Sequence, residues 1–478
     1  MSRRKINGRR KSPAGKTEER KPAGWQKAEG SGGAVGLFKE LSVTEYVLTA
    51  VLFALCLTGA VLLPVAQCPD EAVRRFLSDW IFWNRTLPTG NEMETITAFY
   101  GFSYALRPFL GSLVAVFFMN LAAVFTTSAK ALLIASRLVS VFSITICFYY
   151  CLRIGHIVFR KRSSAVLLGV LVCFLPQVMF LGMYQNNDIL SLCGITAVTF
   201  AVLKCYEDRW SVRSSTRLGI WLSVCLLSYY SVYGWILFAV LFCVAAVLTD
   251  GTIKGKGKLL LSRAALIGGT CIVLAGWFFI RNAVLHGDIF GISAEAVSRE
   301  RLKEAGVPLY QYVCYQRDGL SMTEFLKMKD YEFLRMTTKS FVGVFGNMSI
   351  YMPLIRYGIY YALLGLGVVL FAAVIVRSKP NKRDGLLMIF MGASSAITAG
   401  LHLWQSYARD YQPQGRYIIA LSLLFGFMIS YGMDRTELSL SVPDRRQAVR
   451  MYPAAALSII WIVLFARTFF DTMMQMLP

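Results

Sequence analysis

The sequence predicts an all-α polytopic membrane protein with about eleven transmembrane helices. Its 478 residues are 56% hydrophobic and only 16% charged, whereas soluble domains are nearer half apolar and a quarter charged. The mean hydropathy is +0.52. The apolar residues gather into stretches that are long enough to cross about 30 Å of hydrocarbon as helices. This distribution excludes an ordinary soluble protein built around one large core.

The formal net charge of +22 is spread over the short segments that connect the apolar stretches. In a soluble protein such an excess would suggest nucleic-acid binding. Beside membrane spans, Lys and Arg instead keep loops on the cytoplasmic side and contact anionic headgroups. We therefore expect membrane lipids among the partners and no nucleic acid.

The N-terminal segment, residues 1–42, is rich in Arg, Lys, Gly and Pro and has no apolar period. This composition predicts a disordered basic tail. Because the tail is basic beside the first span, we expect it in the cytoplasm of a multi-pass plasma-membrane protein. Residues 43–478 are expected to form one transmembrane domain.

Successive spans must alternate in direction, and the charges of the connecting loops test this order. The predicted inner loops carry several Lys or Arg each, and none is acidic overall. The stretch 218–249 fits either one long tilted helix or two short ones, and only two keep the later basic loops inside. The predicted spans are 45–66, 131–152, 164–184, 188–206, 218–229, 233–249, 262–280, 354–376, 385–403, 416–433 and 452–470.

The first predicted outer loop, 67–130, is too long to be a simple connection. Its apolar segment 99–125 contains Arg107 followed by Pro108. This pair would be costly inside a true span, and counting the segment as a span would invert every later loop. We therefore expect a helix that lies along the membrane interface.

The second long outer loop, 281–351, mixes charged and aromatic residues. It is expected to form a small external domain or lid with short helices at 293–305 and 321–335. Cys68 and Cys314 fall in the two outer loops, where oxidation is feasible. A disulfide between them and two free thiols both fit, and free thiols are favoured.

Polar residues collect at the outer ends of the predicted spans. Asp70 and Glu71 come directly after the first span, where they suit the first turn of a helix but also hold an acidic pair at the membrane surface. Charged groups near a span are costly, although Arg137 and Arg416 could equally snorkel as anchors. The other groups on this side are Asn186-Asn187-Asp188, Arg281-Asn282, His286-Gly287-Asp288 and the segment from Asp410 to Tyr417.

The order of these motifs resembles the GT-C class of membrane glycosyltransferases, which take a sugar from a polyprenyl-phosphate carrier. Asp70-Glu71 resembles the acidic position that this class has after its first span. An interfacial helix and an Arg at the start of the next span follow in the class, and Arg137 resembles that Arg. The resemblance extends to segments 176–188, 277–291 and 414–417 and, for an uncharacterised bacterial family of the class, to 339–353.

The resemblance implies an inverting glycosyltransferase of GT-C fold in the bacterial cell envelope, with an undecaprenyl-phosphate-linked sugar as donor. The acceptor, whether glycan, lipid or protein, stays open. A carboxylate beside the bilayer can act as general base on the acceptor hydroxyl, which we expect of Asp70, with Glu71 orienting it or binding substrate. Guanidinium groups suit the leaving phosphate. The residues expected to bind phosphate or substrate are Arg137, Asp188, Arg281, Asp410, Arg416 and Tyr417.

No metal site is predicted. Some members of the class need a divalent cation, and Asp70, Asp188, Asp288 and Asp410 could supply oxygen ligands, but no spacing in the sequence requires one. The histidines are too scattered for a zinc site, and His402 is expected to be a satisfied core residue.

The alternative function is a polytopic transporter or lipid flippase. In such proteins intramembrane charges mark a translocation path, and the two halves are often related as repeats. This sequence has no internal repeat and no charge cluster in mid-span, so surface chemistry is favoured over transport.

Overall fold

The computed structural model describes residues 41–436, 438–440 and 449–477. The basic tail predicted for residues 1–42 lies outside the described residues, apart from its last two. Sixteen α-helices make up most of the described chain. The first eight are α1 (Val43–Leu62), α2 (Glu71–Asn84), α3 (Leu110–Ala123), α4 (Ala129–Val158), α5 (Arg162–Cys173), α6 (Pro176–Leu181), α7 (Asp188–Glu207) and α8 (Val212–Ser228). The other eight are α9 (Tyr233–Thr249), α10 (Lys256–His286), α11 (Ile292–Glu304), α12 (Met322–Val342), α13 (Leu354–Arg377), α14 (Lys382–Ala408), α15 (Leu421–Arg435) and α16 (Pro453–Asp471).

Helices occupy all eleven positions at which spans were predicted. Among the described residues, eight segments are long and apolar enough to cross a membrane. They contain α1, α4, α7, α9, α10, α13, α14 and α16. The remaining three predicted spans correspond to shorter helices, namely α5 followed by α6, α8 and α15.

The stretch 218–249 is two helices, as predicted. Helix α8 ends at Ser228, Tyr229 is extended with φ −165°, and α9 begins at Tyr233. The predicted span 164–184 is instead interrupted, because α6 begins at Pro176, a residue that suits the first position of a new helix.

The interfacial helix predicted over 99–125 was expected to begin earlier in the chain than it does. The helix in this segment, α3, begins only at Leu110. Proline restricts the residue before it to extended backbone, and Arg107 has φ −100° and ψ 162°. The short helices predicted for the second long loop are confirmed as α11 and α12, although α12 is kinked by non-helical backbone at residues 328–331.

Helix α7 lies at the centre of the fold and packs against α4, α8 and α9. Of its most apolar stretch, 89% is buried by other parts of the chain. In α10 and α13 the corresponding shares are 6% and 11%, so their apolar side chains are exposed, as expected for helices that face lipid. The start of α7 therefore places Asp188 deep in the helical core.

Two short antiparallel strand pairs complete the described fold, β1 (Val344–Phe345) with β2 (Ile350–Tyr351) and β3 (Leu438–Leu440) with β4 (Val449–Met451). Cys68 and Cys314 are both free thiols. Their sulfur atoms donate to the backbone oxygens of Pro64 and Ala408, respectively, which agrees with the favoured expectation.

Candidate active site

A cavity of about 650 Å³ lies beside the start of α2, between one face of α11 and the end of α14. Its volume is in the range of pockets that bind small-molecule substrates. Buried and half-buried residues line its inner part, and more exposed residues line its outer part. The inner part contains Asp70, Arg74, Tyr100, Tyr104, Tyr229 and Tyr417.

Asp70 lies at the N-cap of α2, but its side chain does not cap the helix. An Asp in this position normally accepts a hydrogen bond from the first turn. Instead, its Oδ2 accepts a hydrogen bond from Arg416 Nη2 at 2.6 Å, and its Oδ1 accepts one from the Tyr100 hydroxyl at 3.4 Å. Its backbone is left-handed, with φ 61°, which is strained for a residue with a side chain. A role as an ordinary helix terminus therefore does not explain Asp70.

The charges around Asp70 keep its carboxyl group ionised. Burial by itself would raise the pKa of Asp70, but the charges of Arg416 and Arg74 and the hydrogen bonds from Arg416 and Tyr100 hold that pKa below its usual value. Burial raises the pKa of the neighbouring Tyr104 to about 12. At neutral pH the inner part therefore combines the carboxylate of Asp70 with the protonated phenol of Tyr104.

Arg416 lies in a 3₁₀ turn, Gly415–Ile418, between α14 and α15. Glycine precedes it because a Cβ at position 415 would collide with the backbone of Phe341. Only 6% of Arg416 is exposed. Its Nη2 contacts Asp70 and the Tyr417 hydroxyl, whereas its Nε and Nη1 are buried without a hydrogen-bond partner in the described chain. Two guanidinium nitrogens, which carry three N–H donors, are therefore unused.

Arg74 is a second guanidinium in the inner part, and it was not among the predicted site residues. It lies one turn beyond Asp70 on α2, and its guanidinium carbon is 5.3 Å from the ring centre of Tyr104 and 5.9 Å from that of Tyr229. Its Nε is also buried without a partner among the described residues. The spacing of four residues between Asp70 and Arg74 was the available signal, since helical residues so spaced lie on one face.

Asp188 adds a second carboxylate next to Arg416. With Arg416 and Tyr417 it lines a small hollow of about 10 Å³. Its Oδ2 is buried and has no hydrogen-bond partner in the part of the chain described, and it interacts electrostatically with both Arg74 and Arg416. Two carboxyl groups and two guanidinium groups, whose formal charges balance, thus lie together. Asp70 and Arg74 line the large cavity, and Asp188 and Arg416 line the hollow beside it.

Glu71 and Arg137 form a separate, sealed ion pair. Arg137 Nη2 lies 2.5 Å from Glu71 Oε2, and both residues are fully buried. The Arg137 nitrogens also donate to the backbone oxygens of Ala60 and Leu63 and to the sulfur of Cys68, which uses all five guanidinium donors. In this arrangement Arg137 has no donor left for a phosphate, and neither residue lines the cavity.

Arg281 and Asp410 make no contact with Asp70. Arg281 donates to the backbone oxygen of Ala105 at 3.3 Å and does not line the cavity. Asp410 lines the outer part, where it accepts hydrogen bonds from the Tyr310 hydroxyl at 3.3 Å and from Gln412 Nε2 at 2.8 Å. Burial raises the pKa of Asp410.

Of the predicted site residues, the structure therefore brings four together at the inner part of the cavity and the small hollow beside it. It places one residue in the outer part of the cavity, and the other three, a buried ion pair and one arginine, do not line the cavity. The four are Asp70, Asp188, Arg416 and Tyr417, the outer residue is Asp410, the sealed pair is Glu71 with Arg137, and the last is Arg281.

His402 is not the satisfied core residue that was expected. It is 7% exposed, lines the cavity, and its Nε2 has no hydrogen-bond partner in the described chain. Its ring lies between those of Phe333 and Tyr417, with centres 5.3 and 5.5 Å away. A single His within an apolar helix gave no sign of this, because contacts with distant residues decide it.

The donor set of the inner part does not fit a divalent cation. Such ions need several oxygen ligands and favour sites with excess negative charge. Here both oxygens of Asp70 are engaged by Arg416 and Tyr100. The charges of Arg74 and Arg416, which balance the carboxylates, would repel a cation.

Two solved structures resemble most of the chain. ArnT from Cupriavidus metallidurans, bound to undecaprenyl phosphate, matches with a TM-score of 0.52 at 15% identity, over 83% of this chain and 61% of ArnT. An oligosaccharyltransferase from Archaeoglobus fulgidus, tethered to an acceptor peptide, matches with a TM-score of 0.50 at 13% identity, over 91% of this chain and 56% of that one. The chain thus spans less than two thirds of either neighbour. These matches confirm the predicted GT-C fold.

No curated protein matches this sequence. A family model described as "Predicted membrane protein (DUF2142)" matches residues 67–425. This match includes the start of α2, the turn that carries Arg416 and every cavity-lining residue named above. Because the model covers most of the chain, the protein belongs to the DUF2142 family of predicted membrane proteins.

Proposed function

We propose that the protein is a membrane glycosyltransferase that moves a sugar from a polyprenyl-phosphate donor to an acceptor hydroxyl at the outer face of a plasma membrane. The observation that carries the proposal is the contact of 2.6 Å between Asp70, which lines the inner part of the cavity, and Arg416, which lines the small hollow beside it. It places an ionised carboxylate beside guanidinium groups that have unused donors. The shared fold adds support, since the ArnT crystal contains undecaprenyl phosphate.

In the proposed reaction the acceptor oxygen attacks the anomeric carbon of the donor sugar while the bond from that carbon to the phosphate oxygen breaks. The electron pair of the broken bond stays on the phosphate. The proton of the acceptor hydroxyl moves to Asp70, which acts as general base. Because attack comes from the side opposite the leaving phosphate, the anomeric configuration inverts.

Arg416 and Arg74 bind the donor phosphate in this proposal. The phosphate oxygens would accept hydrogen bonds from Arg416 Nε and Nη1 and from Arg74 Nε, the buried donors without partners. Charge-assisted hydrogen bonds of this kind are among the strong ones. As the bond breaks, the phosphate gains a negative charge and Asp70 loses one, so charge moves across Arg416 from one partner to the other.

Glu71 and Arg137 act as positioning residues. Their ion pair joins the start of α2 to α4, and Glu71 Oε1 also accepts a hydrogen bond from the backbone nitrogen of Gln185 at 2.9 Å. These contacts hold the turn that contains Asp70. The packing of the fully buried Glu71 and Arg137 thereby offsets the energetic cost of the strained backbone at Asp70.

The test uses the purified protein in vesicles that contain undecaprenyl-phosphate-linked sugars with a labelled sugar. We expect release of undecaprenyl phosphate and a labelled product of inverted configuration. Asp79→Asn is a suitable control, since Asp79 pairs with Arg75 on the same helix outside the cavity. Movement of the donor across the bilayer without any change in its covalent structure would overturn the proposal in favour of the transporter alternative.

A further inference from the structure

The cavity has an outer part that the proposed transfer chemistry does not use. It lies between one face of α11 and the last turn of α14 together with the segment that follows. Several of its residues are exposed, so this part opens to water. Its residues include Arg299, Trp404, Gln405, Arg409, Asp410 and Gln412.

Tyr100 connects the outer part directly to the proposed base. Its hydroxyl donates to Asp70 Oδ1 at 3.4 Å, and its backbone oxygen accepts a hydrogen bond from Arg299 Nη1. The two parts of the cavity are therefore separated by the length of one tyrosine residue. A molecule held in the outer part can place a hydroxyl group at Asp70.

The α11 wall of the cavity is mostly charged, with four charged residues beside Ile292 and Ala296, and contacts hold the side chain of Arg299 in place. Glu295, Arg299 and Lys303 line the cavity at helical spacing. Arg299 also donates to the backbone oxygen of Tyr310 at 2.9 Å and lies 4.0 Å from the ring centre of Tyr312. A mostly charged wall does not suit an acyl chain, because burying the chain there would remove water from the charged groups.

The opposite wall combines one aromatic ring with planar polar groups. Trp404 is 50% exposed, although it is large and apolar, and it lines the cavity. Asp410 and Gln412 are held together by their hydrogen bond of 2.8 Å. The exposed Arg409 side chain makes no ion pair or hydrogen bond with any described residue.

We infer that the outer part binds the acceptor and that the acceptor is a saccharide; this rests on the proposed function. The apolar C–H face of a sugar ring packs on an indole ring, and its hydroxyls pair with amide, carboxylate and guanidinium groups. A peptide is disfavoured because the usual peptide sites are open strand edges or apolar grooves, and the wall here is a charged helix face. The exposed mouth disfavours a lipid acceptor.

The experiment measures binding apart from catalysis. The Asp70→Asn protein is titrated with a panel of trisaccharides that differ in their sugars, with a Ser- and Thr-containing peptide, and with a polyprenol in vesicles. We expect at least one trisaccharide to quench tryptophan fluorescence or to bind by calorimetry. Trp404→Ala in the same background should weaken that binding by about tenfold, as expected for loss of an aromatic contact, and Gln412→Ala should weaken it less.

Trp83→Ala is the matched control. Trp83 is 62% exposed and lies outside the cavity, so it should leave trisaccharide binding unchanged. The inference fails if no trisaccharide binds, if the peptide or the polyprenol binds instead, or if Trp404→Ala has no more effect than Trp83→Ala. Saccharide binding without any transfer by the wild-type protein would contradict the proposed function and the acceptor role, but would leave a saccharide-binding site in the outer part.

Discussion

Asp70 and Glu71 are neighbours in the chain, and each contacts an arginine, yet the two ion pairs differ in what surrounds them. Glu71 and Arg137 are completely buried, and every donor of Arg137 is used within the protein. The side chain of Asp70 is 19% exposed and lines the large cavity. Its partner Arg416 lines the small hollow beside the cavity and has three N–H donors without a partner in the described chain. One pair is closed and the other is open to a ligand.

Residue type and position in the chain therefore do not distinguish a structural ion pair from one that can take part in chemistry. A closed pair can only hold elements together, because any change of partner leaves a buried charge uncompensated. An open pair can exchange partners with a substrate. Substitutions in the open pair should therefore affect transfer, and substitutions in the closed pair should affect stability.

The largest effect is expected from removing the carboxylate of the open pair. Asp70→Asn keeps the size of the side chain but cannot accept the acceptor proton, so the transfer rate should fall by about 10²-fold to 10⁴-fold. The rate is measured in the vesicle assay. The melting temperature in detergent should stay near that of the wild type, and full transfer by this variant would remove Asp70 as the base.

For the closed pair the loss should appear in stability. Glu71→Gln leaves Arg137 buried without a countercharge, so the free energy of unfolding should fall by about 3–5 kcal/mol. Thermal unfolding in detergent measures this change. The double variant Glu71→Leu with Arg137→Met, which buries no charge, should recover much of the lost stability. A Glu71→Gln protein as stable as the wild type would contradict the structural role of the closed pair.

Arg416 should affect donor binding and the chemical step together. Arg416→Gln removes the charge beside the leaving phosphate, and transfer should fall by about 10²-fold. Arg416→Lys keeps the charge but loses the fork of donors, so its loss should be intermediate. The measurements are KM for the donor and kcat. If both are unchanged in Arg416→Gln, the donor phosphate does not bind at Arg416.

The pH dependence should report the pKa of Asp70. Because that pKa lies below its usual value, the fall in transfer on the acid side should lie below the pH range of ordinary carboxyl groups. The lowered pKa also stabilises the folded state above the unfolded-state pKa, and this contribution is lost as pH falls through the folded value. In Arg416→Gln burial dominates, so the acid limb of the rate profile should move to higher pH. If the acid limb stays at the same pH in Arg416→Gln, Arg416 does not set the pKa of Asp70.

The smallest effect is expected from metal removal. The guanidinium groups of Arg74 and Arg416 already balance the carboxylates of the inner part, so EDTA should leave the transfer rate unchanged. Mn²⁺ binding measured by electron paramagnetic resonance should likewise show no site that Asp70→Asn removes. A rate that collapses in EDTA and returns with Mn²⁺ would show that the donor set rearranges around a cation.

The sequence predicted the positions of the helices well, because apolar stretches and basic loops are local features of the chain. The break between α8 and α9 followed from charge alternation alone. The predicted start of α3 was too early. The apolar composition of 99–125 is continuous, but Pro108 prevents a helix from running through it, so α3 begins only at Leu110. The polar residues that gather at the cavity were recognised only in part.

The membrane class, the helical positions and the presence of acidic and basic groups near the ends of spans were determined by the sequence itself, since hydropathy and charge act over short stretches. Tertiary structure decided which arginine meets which carboxylate. Arg416 is 346 residues from Asp70 and Arg137 is 66 from Glu71, so the packing of whole helices selects the partners. It also decided that one pair is sealed and the other lines a cavity, because burial depends on every element packed around a residue.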